Sequence, residues 1–172
     1  MYAKFLEGRG VDTQGRTVYD VLGFHYDLME DEHEWIQWAF PNPRPSKAQP
    51  QATPERFTKE QAARIMGSVI ARAHSVALLY KTLRFWGIEW NGQSSFRVKN
   101  AARLCRSLSG NNHNTKRMTR VIVFLYSTGQ EHEAQELQAF LWRCRSEQPG
   151  FEPSEKTLRY WSNFGSEEDA WA

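Results

Sequence analysis

An all-α fold, a single compact domain of about six to seven helices, is what this sequence predicts. Three observations point that way. Apolar residues recur at spacings of three and four through most of the chain. No stretch reads as a convincing period-two alternation. Helix-start residues precede the periodic runs, and glycine or proline follows them.

The elements follow in order. Gly8-Arg9-Gly10 to Gly15-Arg16 is rich in turn residues and reads as a lead-in. Thr17 with Asp20 marks a helix start before Val18, Val21, Leu22 and Phe24. A helix is expected from about Met29 to Phe40. Its acids, Glu30, Asp31, Glu32 and Glu34, would lie in the first turns, where the positive helix end favours them. Trp35, Ile36, Trp38, Ala39 and Phe40 leave little polar face, so this end must be buried, and Pro41 stops it. Five prolines between residues 41 and 56 mark an irregular, stiff connector.

Thr58 and Gln61 form a capping-box pattern opening the longest helix, to about Trp86. Its stripe is Ile65, Val69, Ala73, Val76, Tyr80 and Leu83, and Gly87 stops it. Residues 88–96 read as a loop. Val98 to Leu108 reads as helical, and residues 109–114 form a sharp connection. A helix from about Thr115 to Thr128 carries Met118, Val121, Ile122 and Leu125 on one face. The next, Glu131 to Ser146, aligns Ala134, Leu137, Phe140, Leu141 and Cys144. Ser154 caps a short helix holding Leu158, Tyr160 and Trp161, and residues 165–172 read as a mobile acidic tail.

Composition narrows the functional classes. With 172 residues, 40% hydrophobic and 13% aromatic, the chain can build a real core and is not disordered. No apolar run approaches the roughly 18 residues of a membrane span, and the start has no secretory apolar segment. Two cysteines, Cys105 and Cys144, are too few for a metal knuckle or a disulfide framework, so free thiols in a reducing compartment are expected. Net charge is +2, unevenly spread. Residues 35–130 carry +12 between two ends of −5 each, and residues 90–130 contain no acid. That pattern fits either acidic ends folded over a basic centre, the preferred reading, or an anionic partner.

Catalytic motifs fail on inspection. His33-Glu34 begins like a zinc-protease helix, but Gln37 stands where the second histidine belongs. The five histidines are scattered, so no metal site is expected. There is no G-x-S-x-G elbow, no Walker loop and no dinucleotide fingerprint, so neither a cofactor nor an enzyme activity is predicted. The informative cluster is His113, Asn114, Arg117 and Arg120. Asn114 or Thr115 would cap a helix whose first turn already carries Lys116 and Arg117, against the dipole. Some anion should therefore sit there. Glu30, Asp31, His33, Glu34 and Gln37 are the expected internal partners, and an external phosphate or carboxylate is the alternative. Trp35, Trp38, Phe85, Trp86 and Trp90 read as core before they read as a ligand platform.

Four ordered blocks carry a resemblance. Residues Tyr26 to Pro41 (YDLMEDEHEWIQWAFP), Arg84 to Ile88 (RFWGI), His113-Asn114-x-x-Arg117-x-Thr119-Arg120-Val121, and Leu158-Arg159-Tyr160-Trp161 together resemble the conserved domain of the opioid growth factor receptor family. Phe5 to Asp12 resembles its bacterial branch, and the likeness covers about residues 5–161. It implies a non-enzymatic module that binds a peptide or small anionic ligand. Animal members are described as nucleus-associated receptors for an enkephalin peptide, and a cytoplasmic location is implied for a microbial member. The alternative is a nucleic-acid-associated protein using the basic stretch 94–120, which a steep salt dependence would identify.

Overall fold

The computed structural model describes residues 1–44 and 55–172. It is predominantly helical, as expected, with eleven helices and one two-stranded sheet among those residues. The helices outnumber the expected six to seven because two long predicted helices are broken and two short ones lie where none was expected. The chain divides into two compact units, Met1–Leu79 and Tyr80–Ala172.

The first unit holds α1 (Tyr2–Leu6), α2 (Val18–Leu22), α3 (Tyr26–Asp31), α4 (Trp35–Ala39), α5 (Lys59–Gly67) and the start of α6 (Val69–Phe85). Helix α1 precedes the expected lead-in and has no side-chain cap. Four of its five residues are buried instead, so packing decides its conformation where propensity does not. Thr17 and Asp20 form a complete capping box on α2.

The single helix expected over 29–40 is corrected to α3 and α4, because the backbone turns extended at Glu32. Two interactions hold the break. The indole N–H of Trp35 donates to the Met29 carbonyl at 3.2 Å, taking an acceptor that an unbroken helix would offer to residue 33. Arg16 donates to Glu32 at 2.9 Å and to the buried Asp12 at 2.7 Å. The acids therefore sit at the end of α3 and in the break, not in a first turn. Trp38 and Phe40 are buried, and the chain leaves α4 at Pro41 as expected. Trp38 packs against Tyr2 and Phe5, with ring centroids 5.2 and 5.7 Å apart. Of the proline-rich connector, residues 45–54 lie outside the described residues.

Thr58 caps α5 as expected, but the long helix breaks at Ser68 with a 96° bend. Ser68 has extended geometry, and its hydroxyl accepts from the Ala71 N–H at 3.2 Å, so it restarts the chain as a new helix. The expected stripe is corrected as well: Val69 is 71% exposed, and Ala73, Val76 and Tyr80 also face solvent. Ile65 and Leu83 are buried as expected, but between them Ala71, Ser75, Leu78, Leu79 and Thr82 are buried in place of the rest of the stripe. Both faces of α6 are apolar, so hydropathy alone could not choose between them.

The second unit continues from Tyr80. Residues 88–96, expected as a loop, form most of an antiparallel hairpin of β1 (Ile88–Trp90) and β2 (Phe96–Val98), with Glu89 opposite Arg97. Gly87 enters it at φ +82°, where a Cβ would run into the Asn100 carbonyl. Then come α7 (Ala101–Leu108), α8 (His113–Ser127), α9 (Glu131–Glu147), α10 (Glu155–Ser162) and α11 (Glu167–Trp171). Helix α11 occupies the expected acidic tail, capped by Ser166 and buried at Ala170. Helix α8 packs against α7, α9, α10 and α11, and eleven of its fifteen residues are buried. The buried face of α9 is Ala134, Leu137, Phe140, Leu141 and Cys144, as the periodicity requires. Gln138 ties the helices together, accepting from Tyr126 at 2.7 Å and donating to the Trp161 and Phe164 carbonyls.

Two outcomes follow for the first unit. Trp38→Ala should cost about 3–5 kcal/mol in urea unfolding, the usual cost of emptying a buried aromatic site. The second concerns pH. Arg64 grips both carboxylate oxygens of Glu7, at 2.9 and 2.8 Å, and with Arg9 beside it lowers the Glu7 pKa from 4.5 to about 2. The folded value lies below the unfolded one, so this stabilisation is complete above pH 4.5 and disappears as pH falls towards 2. Glu7→Gln should be less stable than the parent at pH 6, and that difference should shrink by pH 3 in denaturant titrations.

Candidate functional site

The predicted polar cluster is built on the first turns of α8. That helix starts two residues earlier than expected, and its cap is Asn112 rather than Asn114 or Thr115. Asn112 accepts from the Asn114 and Thr115 N–H groups at 2.8 and 3.0 Å, while the Thr115 hydroxyl accepts from the Asn112 N–H at 3.0 Å. This reciprocal box satisfies donors that would otherwise be orphaned in a half-buried turn. Lys116 and Arg117 consequently stand at the fourth and fifth helical positions, where the dipole opposes them less than expected.

The side chains of Asn114 and Arg117 meet below the surface. Asn114 Oδ1 accepts from Arg117 Nη1 at 3.1 Å and from the indole N–H of Trp86 at 3.2 Å. Asn114, Arg117 and Trp86 are all nearly inaccessible, and Arg117 is only 4% exposed. A second indole closes the same turn: Trp161 donates to the Thr115 carbonyl at 3.1 Å. The loop before it is fixed just as firmly. Gly110 donates to the Glu152 carbonyl at 2.8 Å, and its own carbonyl accepts from the Ser154 N–H and the Thr157 hydroxyl. Three of the four sequence blocks thus converge on one helix start, through Trp86, Asn114 with Arg117, and Trp161.

The remaining predicted residues fall as follows. His113 and Arg120 are half-buried on α8, and Lys116 is exposed. Trp86 is core, as are Trp35 and Trp38 of the first unit. In that unit Glu30 is half-buried at the end of α3, Asp31 and His33 are exposed, and Gln37 is buried in α4. Glu34 accepts from the Thr13 hydroxyl at 3.1 Å and the Gln14 amide at 2.9 Å. Neither cysteine forms a disulfide, and the Cys105 thiol donates to the Pro149 carbonyl at 3.5 Å. Burial pushes the Cys144 thiol from 9.0 up to about 11, which makes it a poor nucleophile or metal ligand. Among the described residues no group of three or more His, Cys, Asp or Glu could hold a metal ion.

Sequence reasoning missed one concave feature, a cleft of about 390 Å³ on the hairpin, lined by Tyr80, Glu89, Trp90, Asn91, Ser95 and Arg97. The signal was present in Ile88-Glu89-Trp90 and Phe96-Arg97-Val98, two short alternating runs separated by the turn residues Asn91-Gly92-Gln93-Ser94-Ser95.

Residues 14–164 match the conserved region of the opioid growth factor receptor. The human opioid growth factor receptor is 30% identical over 137 residues, covering 76% of this chain and 20% of the receptor. The mouse opioid growth factor receptor is 29% identical over 114 residues, covering 63% of this chain and 17% of the receptor. No solved structure matches. The chain belongs to the opioid growth factor receptor conserved-region family, and it spans about a fifth of the length of the curated relatives it matches.

The helix-start node makes a sharp prediction. Asn114→Ala removes the acceptor shared by a buried indole and a buried guanidinium, and should cost about 1.5–3 kcal/mol, the range for hydrogen bonds to charged groups. Arg117→Ala should also lower the unfolding midpoint. Thermal and urea unfolding of both variants would check this.

Proposed function

We propose that this chain is a non-enzymatic binding module, regulatory in role, whose ligand is a peptide or a small anionic molecule. The match over residues 14–164 carries the reading, because the curated relatives sharing that region are named as receptors for a growth-factor ligand. The chemistry of the conserved-looking blocks agrees. Trp86 and Arg117 bond Asn114 and Trp161 bonds the Thr115 carbonyl inside the fold, and none of these side chains offers a nucleophile with an adjacent base. In this reading the cluster of His113, Asn114, Arg117 and Arg120 stabilises the scaffold, and the ligand binds elsewhere on its surface.

The cytoplasm is the proposed place of work. Two thiols outside any disulfide support a reducing compartment, and among the described residues no single helix is long and apolar enough to cross a membrane.

Calorimetric titration tests the reading, with an enkephalin pentapeptide, a scrambled pentapeptide and acidic tripeptides as probes. Saturable binding of a peptide, with the peptide recovered intact by mass spectrometry, is the expected outcome. Cleavage of the peptide would replace the binding module by an enzyme. Binding of a polynucleotide instead, with affinity falling steeply as salt rises, would select the nucleic-acid alternative.

A further inference from the structure

We propose that the hairpin cleft is a binding site for a carboxylate carried on an aromatic-containing peptide, with Arg97 as its principal anchor. The inference deepens the binding-module reading and rests on it.

The cleft has the size of a small-ligand site, about 390 Å³, and combines aromatic walls with a few polar groups. Tyr80 supplies the exposed aromatic wall, and Trp90, 4% exposed, lies beneath it as the floor. Trp90 is held rigidly: its ring stacks on Phe96 at 9° and 6.3 Å, and its N–H donates to the Gln93 carbonyl at 2.9 Å. The rim is fixed by Asn91, whose Oδ1 accepts from the Gln93 and Ser95 N–H groups at 2.9 and 3.0 Å. A site set before the ligand arrives loses less entropy on binding.

The polar groups facing this space are donors. With its oxygen engaged, the Asn91 side chain has its NH₂ group to offer, and Ser95 contributes a hydroxyl. The Tyr80 oxygen accepts from Arg84 Nη1 at 2.7 Å, which leaves its own proton to donate. The lining contains one carboxylate, Glu89, and it is already neutralised. Arg97 binds it through Nε and Nη2, and Lys99 lies 3.8 Å away. The three cations Arg84, Arg97 and Lys99 together hold Glu89 ionised, with its pKa lowered chiefly by the Arg97 hydrogen bond. Glu89 in turn fixes one edge of the guanidinium. Nη1 of Arg97, whose side chain is 74% exposed, is left to point away from that pair. A planar fork with one edge anchored is suited to receive a second carboxylate.

No other acid lies between residues 61 and 130, so the local field favours an anion and disfavours a cationic ligand. An extended polynucleotide needs a basic track with several aromatic platforms, whereas this is a single short cleft.

The test uses the full chain labelled with ¹⁵N and two probes, Ac-Glu-Tyr-Glu-NH₂ and its neutral counterpart Ac-Gln-Tyr-Gln-NH₂. The acidic peptide should shift the Trp90 indole, Arg97 Nε–H and Ser95 amide signals, and the neutral peptide should bind at least about tenfold more weakly. Arg97→Ala should weaken the acidic peptide about tenfold, Arg97→Lys should recover part of that loss, and Arg143→Ala on α9 should change nothing. Arg97 is exposed, so its variants are expected to fold, and their unfolding midpoints provide the check. Equal binding of both peptides, or an unchanged affinity in Arg97→Ala, overturns the cleft assignment while leaving a peptide-binding module intact. Failure of every peptide to bind overturns both. Displacement of the acidic peptide from these signals by oligothymidine at lower concentration also overturns the proposal.

Discussion

A helix packed by four others has nowhere to send the polar groups of its first turn, and α8 is such a helix. At its start the Asn114 and Thr115 N–H groups donate to the Asn112 side chain and the Lys116 N–H to the Asn112 carbonyl, while the loop before it is tied to residues 150–154. A buried Arg117 raises the stakes, because an uncompensated guanidinium at that depth costs several kcal/mol in proteins of this kind. Asn114 supplies one acceptor there, its oxygen shared between Arg117 and Trp86. The hairpin entry at Gly87, the position of α10 and the cap of α8 are all set around this node.

The same constraint explains the aromatic richness of the second unit. Tryptophan is large enough to fill space between helices and carries one N–H that must find an acceptor. Trp86 finds Asn114, Trp161 finds the Thr115 carbonyl, and Trp90 finds the Gln93 carbonyl. Each indole therefore fixes a distance and a direction as well as excluding water. In the first unit Trp35 does the same with the Met29 carbonyl, and that bond is what separates α3 from α4.

Trp86, Asn114, Arg117 and Trp161, all from the resemblance blocks, belong to the scaffold. The resemblance blocks are mostly buried, and the hairpin cleft lies beside Arg84–Ile88 rather than within a block.

Much of this was legible in the sequence. The helical class, the Thr17, Thr58 and Ser154 caps, the Pro41 and Gly87 stops and the buried face of α9 all follow from local pattern. These are readable because capping and periodicity involve residues within one or two turns of each other. What local pattern could not decide was which of several locally acceptable choices the rest of the chain would pair with. Asn112, Asn114 and Thr115 were all competent caps, and the half-buried loop anchored at Gly110 selected the first. Both faces of α6 were apolar, and only packing selected Ala71 and Leu78 over Val69 and Val76. The break after Asp31 needed an indole four residues on, and the hairpin needed Glu89 opposite Arg97. Sequence by itself determined the helical class, many helix ends, the buried face of α9 and the family; tertiary structure decided the helix breaks, the buried face of α6, the hairpin register and the cleft, because those depend on partners far along the chain that no local pattern can name.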